Sequence, residues 1–173
     1  NEPKEDSRNA IIQLREGVVR PVMITGDNAQ CGQYIARSCC LVNENSKILL
    51  GEYNSKLNDV RWSFMIDNES QHEKGLPSQL TTAQVIQMIA PLPQFPQTSA
   101  VIYQDEVIEL AVTGNQAISH LQNTNKQLES LLLHIRIFAR TSPDSKSMIV
   151  RQFRRHGFIV GMCGDGGNVS LLF

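Results

Sequence analysis

The chain has 173 residues, of which 41% are hydrophobic and 19% charged, so it is long enough to bury the core of one globular domain. Its formal net charge of -1 shows no overall basic bias, and we therefore expect no nucleic-acid partner. No stretch approaches the roughly 20 apolar residues that a membrane-spanning helix needs, so we expect no membrane span in this chain.

The first elements predict an α/β fold. Apolar spacing over residues 6–16 predicts a helix that ends at Gly17. The apolar run at 18–24 predicts a buried strand, followed by a polar turn at 25–28 and a helix over 29–42. A strand, a turn and a helix make up half of a βαβ unit, which indicates a parallel sheet with helices on its faces.

The middle of the chain has a different character. We interpret residues 44–110 as a β-rich insertion on the α/β core, because strand-like runs there alternate with polar turns. Strands are predicted there over 47–53, 60–66, 99–103 and 107–112, and a short helix is predicted over 81–90.

The α/β pattern returns after this segment. Apolar spacing predicts a helix over 117–133 and a strand over 135–139. Pro143 suits the first turn of a helix over 144–156, and 158–163 is predicted as a last buried strand. From Arg136 to Arg155 six Lys and Arg residues accompany a single acid, a local patch that suits a phosphate-bearing ligand.

Two polar clusters suggest phosphate binding, since α/β proteins place their chemistry at the carboxyl ends of parallel strands. Thr25, Gly26 and Asp27 follow a strand and precede a helix, where a hydroxyl and free amides can hold an anion; the alternative is an ordinary helix N-cap. Lys146 lies in the first turn of a helix, where the dipole disfavours a cation unless it neutralises a bound phosphate. A solvated surface lysine is the alternative there.

A third cluster, residues 164–168, suggests a metal site. Asp165 stands between glycines at the tip of the last predicted strand, and Mg²⁺ prefers one or two carboxylates with phosphate oxygens and water. The alternative is a glycine-rich turn with an Asx cap. Taken in order, Thr25, Lys146 and Asp165 have the layout of haloacid-dehalogenase-like phosphotransferases, in which positioning and charge stabilisation provide most of the catalysis.

Three motifs resemble those of P-type cation-transporting ATPases. Residues 23–28 resemble the element M-x-T-G-D-N, residues 138–146 resemble F-A-R-x-x-P-x-x-K, and residues 164–168 resemble the start of G-D-G-x-N-D. Together with residues 109–114 and 160–166, they are similar to the fifth P-type subfamily. Its second branch is associated with polyamine export from late endosomes and lysosomes.

The resemblance implies a haloacid-dehalogenase-like parallel sheet flanked by helices, present here as a partial phosphorylation domain. It implies ATP as substrate, Mg²⁺ as cofactor, and a place on the cytosolic face of a late-endosomal or lysosomal membrane. The remaining partners would be the nucleotide, actuator and membrane domains of the pump, with the transported cation bound elsewhere. The resemblance also implies roles for individual residues. Contacts with the phosphate would come from Thr25, Gly26 and Asp27, while Arg140 would approach the nucleotide and Lys146 would pair with the phosphoryl group. Asp165 would bind Mg²⁺, and Asn168 would hydrogen-bond near the aspartyl phosphate.

Two features depart from the family pattern. The phosphorylated aspartate of the family belongs to a D-K-T-G-T motif, which surrounds no Asp in this sequence, and Val169 replaces the second acid of the last motif. We therefore expect the chain alone not to turn over ATP, because no covalent intermediate can form without the nucleophile. The alternatives are a truncated, non-catalytic product that binds nucleotide or regulates the full-length pump, and a haloacid-dehalogenase-like phosphatase, which would need a D-x-D pair absent here.

Overall fold

The computed structural model describes residues 6–65, 78–89, 101–103 and 106–164. Among the described residues, no helix combines the length and the apolar character needed to cross a bilayer. The elements in chain order are α1 Ser7–Glu16, β1 Met23–Ile24, α2 Ala29–Ser38, β2 Lys47–Asn54, β3 Asp59–Phe64, β4 Leu80–Thr81, α3 Thr82–Ile89, β5 Val101–Tyr103, β6 Glu106–Thr113, α4 Asn115–Asn123, α5 Gln127–Leu131, β7 Ile135–Ala139 and α6 Pro143–Arg155.

The strands form one seven-stranded sheet in the order β1-β7-β6-β2-β3-β4, with β5 paired to the beginning of β6. Strands β1, β7, β6 and β2 are parallel, whereas β3, β4 and β5 join antiparallel. The predicted α/β fold, a haloacid-dehalogenase-like parallel sheet flanked by helices, is confirmed. That residues 44–110 are a subfamily-specific insertion stays a prediction. Within that range, β2 and most of the adjoining β6 extend the same parallel sheet.

Helices cover both faces of the sheet. The larger apolar cluster lies between the sheet and α3, α4, α5 and α6, and the smaller one between the sheet, α1 and α2. Side chains alternate along β6 with a period of two, so Leu110 and Val112 face the larger cluster while Ala111 faces the smaller. The fold therefore has three layers, with the sheet between two layers of helices. Burial on both faces is typical of parallel sheets.

The predicted strand over 18–24 is much shorter in the structure, where β1 holds only Met23 and Ile24. Val18 and Val19 are 72% and 50% exposed, and their amides donate to carbonyl oxygens in the last turn of α1. Because these backbone groups finish the helix, they are not available to a strand. The apolar run therefore belongs partly to a helix end.

Two predicted helices differ from the structure. The helix predicted over 117–133 is divided into α4 and α5, because Asn125 and Lys126 adopt left-handed φ angles of 47° and 57° that no α-helix can contain. The helix predicted over 29–42 ends at Ser38, two residues before the left-handed Cys40. The helix predicted over 81–90 is confirmed as α3, which begins one residue later because Thr81 belongs to β4.

The buried strand predicted over 158–163 is likewise absent from the structure. Residues 158–164 belong to no strand, and Ile159 is fully exposed, although Phe158 and Val160 pack on the larger cluster. Inward and outward side chains alternate along this segment as they do along a strand, but no strand in the described part of the chain lies beside it. A strand forms only where its backbone groups find partners, which local sequence cannot supply.

Candidate phosphate-binding site

The loops that follow β1 and β7 are joined by backbone hydrogen bonds. The Thr25 amide donates to the carbonyl oxygen of Phe138 at 2.8 Å, and the Thr141 amide donates back to the carbonyl oxygen of Thr25 at 3.0 Å. The Thr141 hydroxyl donates to that same oxygen at 2.8 Å, and the Arg140 amide donates to the carbonyl oxygen of Asp27 at 2.8 Å. The structure thus brings the predicted Thr25–Asp27 loop against the predicted Arg140 loop.

The Thr25–Asp27 loop has its own internal order. The Thr25 hydroxyl donates to Asp27 Oδ2 at 3.2 Å, and the Asp27 amide donates to Thr25 Oγ1 at 3.0 Å. The sequence left open whether Thr25 to Asp27 cap helix α2. The structure gives that role to the following residue, because Asn28 Oδ1 accepts a hydrogen bond from the Cys31 amide at 2.8 Å. The side chains of Thr25 and Asp27 therefore do not cap the helix, and Gly26 and Asp27 are exposed at the surface.

A third loop, after β6, meets the same edge of the sheet. Gly114 has a left-handed φ of 87°, which a residue with a side chain rarely adopts, and its amide donates to the carbonyl oxygen of Ala139 at 3.0 Å. Asn115 Oδ1 accepts from the Ser142 amide at 2.9 Å. The sequence did not predict a role in the site for Thr141, Ser142 or Asn115. For Asn115 the signal in the sequence was the polar triplet of residues 113–115, which follows the apolar run of β6.

Lys146 lies where the sequence predicted it, in the first turn of α6. Ser142 is the N-cap, its Oγ accepts from the Ser145 amide at 3.3 Å, and Pro143 occupies the first turn. The Lys146 amide donates to the carbonyl oxygen of Ser142 at 2.9 Å, and its side chain is half-buried. Its ammonium has no ion-pair partner within the described ranges, and the acid in the same first turn is Asp144.

The predicted basic patch is smaller than its sequence suggested. Arg136 is 4% exposed and pairs with the buried Glu109, so it does not contribute to a surface. Arg140, Arg151, Arg154 and Arg155 are exposed.

The predicted metal site lies beyond the described residues, which end at Gly164. Asp165 and Asn168 are both outside the described ranges, and so is Val169. Within the described ranges no group of three or more His, Cys, Asp or Glu side chains could hold a metal ion. The assignments of Mg²⁺ to Asp165 and of a phosphate contact to Asn168 stay predictions.

The sheet, the Thr-Gly-Asp loop after one parallel strand and the lysine-bearing helix after its neighbour define a haloacid-dehalogenase-like partial domain. No family model matches the chain. Curated relatives match 97% of it: "Probable cation-transporting ATPase 13A4" of Mus musculus is 30% identical over 172 residues, the Gallus gallus protein of that name is 29% identical over 172, and "Polyamine-transporting ATPase 13A3" of Macaca fascicularis is 24% identical over 173. The resemblance to P-type cation-transporting ATPases of the 13A group is therefore confirmed. The chain spans 13% of the length of these relatives.

Proposed function

We propose that this chain is part of the cytoplasmic catalytic core of an ATP-driven cation pump, with polyamines as the candidate cargo. One observation carries the proposal: the Thr25–Asp27 loop and the loop leading to Lys146 are hydrogen-bonded together at the carboxyl edge of a parallel sheet. That edge is where open α/β sheets bind their ligands. The match to cation-transporting ATPases over nearly the whole chain supports the same function.

In this proposal the residues divide the work of phosphoryl transfer. Thr25, Gly26 and Asp27 contact the phosphoryl group as it moves to and from an aspartate elsewhere in the pump. The Lys146 ammonium balances the charge on its oxygens, and the exposed Arg140 approaches the nucleotide. Phosphoryl transfer requires little covalent chemistry from the protein, so positioning and charge account for most of the rate.

Mg²⁺ and ATP complete the proposed reaction. Asp165 would hold Mg²⁺, with Asn168 beside the aspartyl phosphate, and the ion would neutralise charge that develops on the phosphoryl oxygens. The other partners are the nucleotide, actuator and membrane domains, and the proposed location is the cytosolic face of a late-endosomal or lysosomal membrane. Without its own nucleophilic aspartate, the isolated chain forms no phosphorylated intermediate.

Binding of inorganic phosphate, which does not need to be coordinated by the nucleophilic aspartate, tests the proposed site in the 173-residue chain. Titration with Mg²⁺ present should shift the backbone NMR signals of residues 25–27 and Lys146. Those shifts should vanish in Thr25→Val, which replaces the hydroxyl and its two bonds to Asp27 by a methyl group, and persist in Thr124→Val at the far end of α4. Shifts that survive in Thr25→Val, or none in a well-dispersed spectrum, would contradict the assigned phosphate roles.

A second experiment separates the pump segment from the alternatives. The chain alone, incubated with labelled ATP and Mg²⁺, should yield no acid-stable phosphoprotein, whereas the full-length pump should yield one that is lost in Lys146→Met. Phosphorylation of the isolated chain would refute the proposal. Release of phosphate from a small phosphomonoester by the chain would favour the phosphatase instead.

A further inference from the structure

Three charged side chains lie together at the amino end of β1, β7 and β6, opposite the candidate site. Arg136 Nε is 3.4 Å from Glu109 Oε2, and both side chains are about 95% buried, with 4% and 5% exposed. Arg136 Nη1 donates to the carbonyl oxygen of Pro21 at 3.1 Å, and Arg20 Nη2 donates to the carbonyl oxygen of Ile135 at 3.2 Å. The two arginines therefore tie the segment before β1 to β7 in both directions.

The charges in this cluster do not balance. Burial, and then the neighbouring charge of Arg136, lowers the pKa of Arg20 to about 9, while burial raises the pKa of Glu109 against the opposing pull of both guanidinium groups. Among the described residues, Arg20 Nε and Nη1 have no hydrogen-bond partner, and Arg136 Nε faces Glu109 Oε2 at 3.4 Å without forming a hydrogen bond. One buried and one half-buried cation around a buried carboxylate are a poor source of stability, so the geometry they impose is the more informative feature.

Strand β1 needs such attachment because it is very short. It pairs with β7 only at Met23 opposite Ile137 and Ile24 opposite Phe138, and it is the terminal strand of the described sheet. From Pro21 to Thr25 is four residues, or about 13 Å of extended chain. The arginines hold the amino end of this segment, and the Thr25 bonds hold its carboxyl end.

We infer that Arg20, Arg136 and Glu109 form a clamp that positions the Thr25–Asp27 loop by setting how β1 lies against β7. They are positioning residues, since they touch the loop only through the strand. The consequence for phosphate binding rests on the proposed function, and there an error of about 1 Å in placement can cost on the order of a hundredfold in rate. The clamp itself is a statement about local structure and can be tested separately.

Amide hydrogen exchange in Arg20→Met is the test, because this variant removes the bond to Ile135 and leaves the Arg136–Glu109 pair intact. We expect exchange at the Thr25 and Thr141 amides to rise roughly tenfold or more, with amides of the β2–β3 hairpin unchanged. Arg61→Met is the matched control, since Arg61 lies on β3 and pairs with Asp59. It should leave the Thr25 and Thr141 amides unaffected.

The change in unfolding stability of Arg20→Met distinguishes the clamp from a buried charge that has no positioning role. Removing Arg20 relieves the cost of its burial and its repulsion with Arg136, which together outweigh the lost attraction to Glu109. Without an anchoring role the variant would therefore unfold at the same or higher urea concentration and show no local rise in exchange. A uniform rise across the sheet would equally overturn the clamp. If Arg20→Met does not fold, Arg20→Lys gives the same comparison, with a smaller selective rise expected.

Titration of the same variants with inorganic phosphate separates the two proposals. Selective exchange together with weakened binding supports both the clamp and the phosphate site. Selective exchange in a chain whose parent binds no phosphate supports the clamp and contradicts the phosphate site. Binding that is intact in Arg20→Met, with Thr25 exchange unchanged, overturns the clamp alone.

Discussion

Substituting Gly51 by alanine should destabilise the fold through a clash with Trp62. Gly51 lies in β2 directly opposite Trp62 in β3, and a Cβ added at Gly51 would lie 2.9 Å from the indole atoms Cη2 and Cζ2. Trp62 is fully buried, and its indole N–H donates to Thr82 Oγ1 at 3.1 Å. Ordinary van der Waals contacts lie at 3.4–4 Å, so the ring has to move by roughly half an ångström or more.

The expected loss follows from three contributions. Overpacking a well-packed core costs about 1–3 kcal/mol. A weakened bond from the indole to Thr82 adds about 0.5–1.5 kcal/mol, and replacing a strand glycine by alanine returns about 0.5–1 kcal/mol. The net loss in the free energy of unfolding is about 2 kcal/mol, which corresponds to a melting temperature lower by roughly 4–8 °C for a domain of this size.

Urea unfolding measured by tryptophan fluorescence is the direct assay, because Trp62 is the single tryptophan of the chain. Gly51→Ala should lower the midpoint and shift the native emission, as the indole leaves its place. Gly161→Ala is the control, since an added Cβ there meets no atom of the described residues within 4 Å and should change stability by less than about 0.5 kcal/mol. An unchanged midpoint for Gly51→Ala would refute the packing described around Trp62.

Three further predictions concern the site and its support. Burial raises the pKa of Glu109, so the folded state holds the proton of this carboxyl group more tightly than the unfolded chain does. Wild type should therefore lose stability relative to Glu109→Gln as the pH rises above about 4.5. A constant difference in urea midpoints from pH 4.5 to 7 would contradict this prediction. Thr141→Val should cost about 1 kcal/mol, measured by urea unfolding, because only its hydroxyl bond to Thr25 is lost; an unchanged midpoint would show that this bond contributes nothing. Asn28→Ala should cost about 1 kcal/mol by removing the N-cap of α2, and Asn28→Ser should restore most of it; equal midpoints for the two variants would argue against the cap.

Much of the fold was predictable from local pattern. Strands β2, β6 and β7 lie within about a residue of their predicted bounds, because each is an apolar run closed by turn residues. Helix α6 begins at Pro143 after the Ser142 cap, a start that local chemistry specifies. That the loops of the candidate site lie at one edge of the sheet was also predictable, because parallel strands end at the same edge, but the contacts between the loops were not.

The errors occur where the outcome depends on partners distant in sequence. Residues 158–164 have the alternation of a strand, yet they form none because no described strand lies beside them. Residues 18 and 19 end a helix instead of starting a strand, since their amides bond to α1. Thr141 and Asn115 gained roles only because folding places a carbonyl or an amide from another loop within reach.

The sequence by itself determined the family resemblance, the α/β class and the three motifs, because these depend on residue identity and on spacing over a few turns. Tertiary structure alone decided that the Thr25 loop contacts the Thr141 loop, that β1 is two residues long, and that Arg20 and Arg136 meet Glu109. The reason is physical. The bonds from Arg20 to Ile135 and from Thr141 to Thr25 join residues 115 and 116 positions apart, and no local pattern specifies which carbonyl oxygen a side chain will reach.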